Sequence, residues 1–170
     1  MVGCLKWSCY VISQLALTVI VMTAEEKISN FLKRYGFAAT FVGEATDFPR
    51  EILLAHAALE TGWGLHLEGN NLYGIKNLPF SWGTKNLETS EYFDEWVRRA
   101  EAFQTFPSEI HSMLAYVWKI RNQERYLMAW NSRFVPEIYF RKLQEAGYAT
   151  DPEFADKLIG VYKRIREVLK

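Results

Sequence analysis

The sequence predicts an α+β fold that is mainly α, a helical body interrupted once by a small β-lobe. Three observations carry this. Apolar residues recur at helical spacing on both sides of the middle of the chain. That period is lost between Gly69 and about Phe106. Within the gap, Asn, Gly, Ser and Thr punctuate short stretches, 87–93 and 100–106, that suit strands. At 170 residues the chain fits one domain and is long enough for a real core.

The elements follow in order. Ile28, Phe31 and Leu32 give residues 24–34 an amphipathic helical face. Asp47, with Pro49 in the first turn, is expected to start a second helix. Ile52, Leu53, Leu54, Ala57, Ala58 and Leu59 make that helix almost wholly apolar, so it should be buried. Gly62 and Gly64 stop it, Gly62 being well placed as a left-handed cap. Helix resumes near Ser108, with Met113, Leu114, Val117 and Ile120 on one side. Another is expected over 136–146, closed by Gly147. The last opens at Asp151-Pro152 and carries Phe154, Leu158, Ile159, Tyr162, Ile165 and Leu169. Repeats and low-complexity tracts are absent.

Residues 1–22 read as a separate segment and 23–170 as the folded domain. Lys6 precedes a mostly apolar run, Trp7 to Met22, that is short for a full membrane span and about right for a signal-peptide core or a marginal anchor. The pairs Met22/Ala24 and Val21/Thr23 make a weak cleavage signal. Membrane contact through residues 5–22 is one expectation. The other is a start of translation at Met22, since Thr23-Ala24-Glu25-Glu26 has capping-box spacing.

Composition excludes several classes. Apolar residues are 49% and charged residues 24%, which is globular rather than disordered. Lys plus Arg equals Asp plus Glu at 20 each, so no basic footprint for nucleic acid exists. Aromatic residues reach 15%, a content that permits a glycan groove without establishing one. Cys4 and Cys9 both lie in the N-terminal segment, so the domain has neither a disulfide framework nor a thiolate nucleophile.

Glu60 is the chief candidate for chemistry. It lies in the last turn of the buried helix, beside Trp63. The negative end of the helix dipole and an apolar wall both disfavour an ionised carboxyl, which suits a general acid. On this feature alone, a glutamate that simply points to water is the alternative.

The blocks downstream change the balance. Ala58-Leu59-Glu60-Thr61-Gly62-Trp63-Gly64, Asn70-Asn71-Leu72-Tyr73-Gly74-Ile75-Lys76, Trp82-Gly83, Thr89-Ser90-Glu91-Tyr92, Arg125-Tyr126 and Ala146-Gly147-Tyr148-Ala149-Thr150-Asp151-Pro152 occur in this order. They resemble the glucosaminidase family of peptidoglycan hydrolases, glycoside hydrolase family 73, over about Pro49 to Lys170. The resemblance implies a lysozyme-like helical domain whose β-lobe flanks a substrate groove. It also implies catalysis on peptidoglycan glycan strands, without a cofactor, by a monomer. Residues 23–170 would then be the glucosaminidase catalytic domain. Export is the favoured reading of the N-terminus, because that substrate lies outside the cytoplasm.

Glycoside cleavage needs a proton for the leaving oxygen and a nucleophile on the opposite face. Glu60 matches the family's catalytic glutamate. Glu91 falls where the resemblance places a β-lobe glutamate, as base on water or as support for the sugar cation. Its neighbours Glu88, Asp94 and Glu95 prevent a choice from the residues alone. Alternatively the substrate's own 2-acetamido group assists, oriented by Tyr148, which matches a tyrosine that the family places at the active site. Asn71, Tyr73, Trp63, Trp82 and His56 complete the set as substrate-binding candidates. Asn71 offers an amide, Tyr73 a ring and a hydroxyl, and the tryptophans flat apolar faces.

The chain also departs from the family. His56 replaces a usual glutamine. His56 and Glu60 share a helix face at i and i+4, but no third ligand joins them, so no metal is expected. Phe103-Gln104-Thr105-Phe106 differs from the usual Phe-Arg-x-Tyr, Ala115 stands where an acid often precedes the tyrosine, and Glu124 replaces a proline. Three functions remain at this point. They are an endo-β-N-acetylglucosaminidase, a muramidase or lytic transglycosylase on the same groove, and a glycan-binding module without turnover.

Overall fold

The computed structural model describes residues 22–76, 78–80, 82–93 and 95–170, and the backbone alone at 89–93, 96 and 99. The expectations for the N-terminal segment lie outside the described residues up to position 21. Among those described, no helix is long and apolar enough to cross a membrane.

Helix α1 spans Ala24–Thr46. The expected capping box closes its start. Thr23 Oγ1 accepts from Glu26 N at 3.1 Å, and Glu26 Oε2 accepts from Thr23 N at 2.8 Å. The helix runs on past the expected end at Arg34, because Tyr35, Ala38, Ala39 and Val42 continue the buried stripe of Ile28 and Phe31. Asp47 adopts the left-handed conformation, φ 54°, and ends α1 rather than starting the next helix. Gly43 permits the tight turn that follows, since a Cβ there would lie 2.8 Å from the Phe48 carbonyl oxygen.

Helix α2, Arg50–Glu60, has Pro49 as its N-cap rather than in its first turn. Ile52 to Ala58 are all buried, as the apolar run requires. Burying one such Leu or Ile side chain contributes about 1.5–3 kcal/mol. Helix α2 packs against α1 and against α6, Phe154–Val168. Helix α3, Glu109–Asn122, packs on α1, and α5, Pro136–Glu145, packs on α6. A 3-10 turn over Glu124–Tyr126 and a short α4 at Leu127–Asn131 link α3 to α5. Neither was legible as a periodic pattern, because each is shorter than two helical turns. Asp151 and Pro152 precede α6 instead of forming its first turn, and Asp151 Oδ1 accepts from Glu153 N at 2.9 Å.

The β-lobe is an antiparallel hairpin of β1, Thr84–Phe93, and β2, Glu95–Gln104, in register from Thr84 opposite Gln104 to Phe93 opposite Glu95. Both strands begin several residues before the expected stretches. The hairpin is tied to the body at its base. Gln104 N donates to Ile75 O at 2.8 Å, Thr105 N to Gly83 O at 2.9 Å and Phe106 N to Gly69 O at 2.8 Å. The fold is α+β, mainly α, of the lysozyme-like kind expected.

Candidate active site

The end of α2 is built to present Glu60. Thr61 is the C-cap and Gly62 follows at φ 56°. Trp63 N donates to Ala58 O at 2.8 Å and Gly62 N to Leu59 O at 3.4 Å, the paired bonds of a Schellman motif. Trp63 itself sits at φ 64° and Gly64 at φ 77°. This left-handed run turns the chain sharply, and the Trp63 ring meets Phe31 of α1 edge-on at 5.8 Å. The Trp63 ring thus packs against the inner side of α1. Glu60 as a residue is exposed, but its side chain keeps only 25% of its accessible surface.

One carboxylate oxygen is held from below. His56 lies one turn earlier and is fully buried, with Nε2 3.3 Å from Glu60 Oε1. Its Nδ1 is 2.8 Å from Tyr116 Oη, which lies 2.5 Å from Tyr139 Oη. Burial pushes the Tyr116 and Tyr139 phenols well above their ordinary range, so both stay protonated. One arrangement satisfies the whole relay: Tyr139 donates to Tyr116, Tyr116 to Nδ1, and a neutral His56 ring turns its Nε2 proton to Glu60 Oε1. The other oxygen is then the one free to carry an acidic proton. Gly74, at φ 58°, backs it closely. A Cβ there would lie 3.1 Å from Glu60 Oε2.

Three expected sugar contacts prove to be internal. His56 is sealed beneath Glu60. Asn71 is 8% exposed, and its amide is committed to backbone. Asn71 Nδ2 donates to Ile75 O at 2.8 Å and Gln104 O at 2.9 Å, while Oδ1 accepts from Ile75 N at 2.9 Å and Tyr73 N at 3.4 Å. Tyr73 is fully buried, stacked on Tyr116 at 4.2 Å, and its hydroxyl donates to Leu53 O at 3.3 Å. Asn71 and Tyr73 therefore shape the turn that carries Gly74, and in this structure neither offers a free face to a ligand.

Tyr148 does reach the site. Its ring lies 4.7 Å from the His56 ring and stacks on Phe154 at 5.9 Å. Its hydroxyl donates to Tyr73 O at 2.8 Å. Burial, and then the nearby Glu60, hold its phenol well above the ordinary range. Arg125 fixes the turn behind it by donating to Gly147 O at 2.5 Å, and Gly147 is left-handed at φ 68°. Trp82 is 51% exposed. It packs on Phe106 and His111 and borders a cleft of about 600 Å³ with Phe80, Trp118 and Arg121 on the outer side of α3. Glu91 is placed in β1 opposite Val97, and its side chain lies outside the described part.

Lys119 was not singled out in the sequence. It shares the inner face of α3 with Ser112 and Tyr116, and that i, i+4, i+7 spacing is the signal that could have found it. Its ammonium lies 5.0 Å from the Tyr148 ring centre and 5.9 Å from that of Tyr126. Burial first, then Arg125 and Lys76, bring it down to about 8, against the opposing pull of Glu60. No group of three candidate metal ligands exists among the described residues.

A carboxyl is thus held at a helix end, over buried phenols and beside a β-hairpin. The model of the family described as mannosyl-glycoprotein endo-beta-N-acetylglucosaminidase matches residues 37–167. The chain belongs to this glucosaminidase family. It is 33% identical over 166 residues to the peptidoglycan hydrolase FlgJ of Vibrio parahaemolyticus, covering 92% of this chain and 53% of that protein. The FlgJ of Pseudomonas aeruginosa is 32% identical, with 85% of this chain and 37% of that protein covered. The chain thus spans about half or less of these curated relatives. Among solved structures, a peptidoglycan hydrolase mutant from Sphingomonas sp. A1 superposes with a TM-score of 0.75 at 30% identity, covering 82% of this chain and 97% of that one. The truncated glycoside hydrolase domain of Salmonella typhimurium FlgJ gives 0.65 at 29% identity, covering 82% and 98%.

Proposed function

We propose that the protein is an endo-β-N-acetylglucosaminidase that cuts the glycan strands of peptidoglycan, with Glu60 as general acid. One observation carries the reading. The Glu60 carboxyl stands at the open end of α2, with Oε1 held by His56 Nε2 at 3.3 Å and Oε2 left for the leaving oxygen. A group so oriented delivers its proton without first having to be ordered. Glu91, on the β-lobe, is the proposed second carboxylate, acting on water or supporting the sugar cation. Tyr148 is proposed to orient the substrate's 2-acetamido group. Its own proton is committed to Tyr73 O, so it would do this as an acceptor from the acetamido N–H. Relatives named as peptidoglycan hydrolases and as an autolysin from Enterococcus faecalis support the substrate class, and with it a site of action outside the cytoplasm.

A second reading has support from one relative, a probable N-acetylmuramidase of Lactococcus lactis that is 26% identical. Mass spectrometry of digested peptidoglycan separates the two. New glucosamine-type reducing ends are expected. Muramic or anhydromuramic ends would overturn the glucosaminidase reading, and an undigested wall would leave only the binding module.

A further inference from the structure

The Lys119 ammonium has three N–H donors and an aromatic floor, but no hydrogen-bond acceptor among the described residues. Tyr148 and Tyr126 offer ring faces at 5.0 and 5.9 Å, which attract a cation without accepting its hydrogens in the ordinary sense. Glu60 acts on it electrostatically, yet the two do not come within ion-pair distance. Nor is the ammonium sealed off. The described side-chain polar atoms that are buried without a partner are Tyr35 Oη and Gln104 Oε1. Lys119 Nζ therefore keeps an opening to solvent. Phe154 stacks on the Tyr148 ring, at 8° between planes, and the ammonium lies 5.0 Å from the centre of that same ring. Such a half-desolvated cation is costly unless something completes its shell.

We propose that Lys119 is a substrate contact, whose ammonium donates to an acyl or carboxylate oxygen of the bound glycan strand at the Glu60 end of the groove. This rests on the glycan-hydrolase reading above. Two groups of the strand carry that chemistry, the acetamido carbonyl of either sugar and the lactyl group that muramic acid adds. The charged groups facing Lys119 are Glu60 from α2, Arg125 from the 3-10 turn and Lys76 from the loop after α2, with the Tyr148 and Tyr126 rings beneath. Lys119 is charged at neutral pH and discharges as pH rises through about 8, so the contact weakens over that interval.

The test is calorimetric binding to the full chain carrying Glu60→Gln, alone and combined with Lys119→Met or Lys119→Arg. The probes are a peptide-free peptidoglycan strand and a chitin oligomer of equal length, which lacks the lactyl group. Losing a charge-assisted hydrogen bond should weaken binding about 10- to 100-fold in the methionine variant. The arginine variant should stay within a few-fold of the parent. Parent affinity should fall between pH 7 and 9, while that of the arginine variant should not, because its charge persists. Loss confined to the peptidoglycan strand assigns the lactyl oxygen, and equal loss on both assigns the acetamido oxygen. Unchanged affinity for both strands in the methionine variant, or a pH step that survives in it, would overturn the proposal. A melting shift without an affinity shift would also overturn it, as that is the mark of a merely structural lysine. If the parent binds neither strand, the glycan reading of the site falls with it.

Discussion

At the scale of residues, the site works by giving each polar atom one task. His56 is the pivot. Its Nδ1 is tied to Tyr116 and its Nε2 to Glu60 Oε1, so the ring holds one carboxyl oxygen and leaves the other for the proposed chemistry. Replacing it with leucine removes that donor and leaves the Tyr116 hydroxyl in the core with Tyr139 as its remaining partner. An acid free to rotate by an ångström or so loses about 10²-fold in turnover. His56→Leu should therefore lower kcat by roughly that factor with little change in KM. His56→Gln, which keeps an N–H donor at nearly the same reach, should recover most of it. Steady-state kinetics on solubilised peptidoglycan checks this, with melting curves to confirm folding. Equal kcat in the leucine and glutamine variants would show that the hydrogen bond to Glu60 does not matter.

At the scale of elements, the loop between α2 and the hairpin is held by one side chain. Asn71 supplies two donors and one doubly used acceptor to the backbone of Tyr73, Ile75 and Gln104, and so joins the turn carrying Gly74 to the end of β2. Asn71→Ala leaves several of these buried groups without partners, at about 1–3 kcal/mol for each one that water cannot reach. A loss of roughly 2–4 kcal/mol in urea unfolding is expected, with the hairpin loosening before the helices. A loss below about 0.5 kcal/mol would mean that the turn holds itself. Much of this layer was legible in the sequence. The capping box at Thr23, the left-handed stop at Gly62 and the buried face of α2 each follow from a local rule, and each is present. What stayed hidden was the direction of polar side chains. An asparagine or tyrosine in a glycine-rich turn reads equally well as a ligand contact or as an internal brace. The choice depends on which backbone groups the distant end of β2 leaves unpaired, and spacing does not encode that. The packing of Trp63 was hidden for a related reason, because three successive left-handed residues swing its ring towards α1.

At the scale of the whole molecule, the helical body and the β-lobe divide the chemistry. The proposed acid, its buried supports and the candidate lysine belong to α2, α3, α5 and the turn before α6. The proposed second carboxylate stands on the hairpin, joined to the body by backbone bonds at its base. The order of elements was readable because the helical period vanishes once and returns. The way α3 meets α2 was not, since Tyr116 and Lys119 give no sign in sequence that they lie over His56 and Tyr148. The account turns on Glu60 as the proton donor. The most direct measurement is hydrolysis of peptidoglycan by Glu60→Gln, compared with the unaltered protein at equal concentration after circular dichroism shows both folded. The amide is nearly isosteric but cannot deliver the proton, so turnover should fall by about 10²- to 10⁴-fold or more. A folded glutamine variant that digests the wall at close to the original rate would contradict the account.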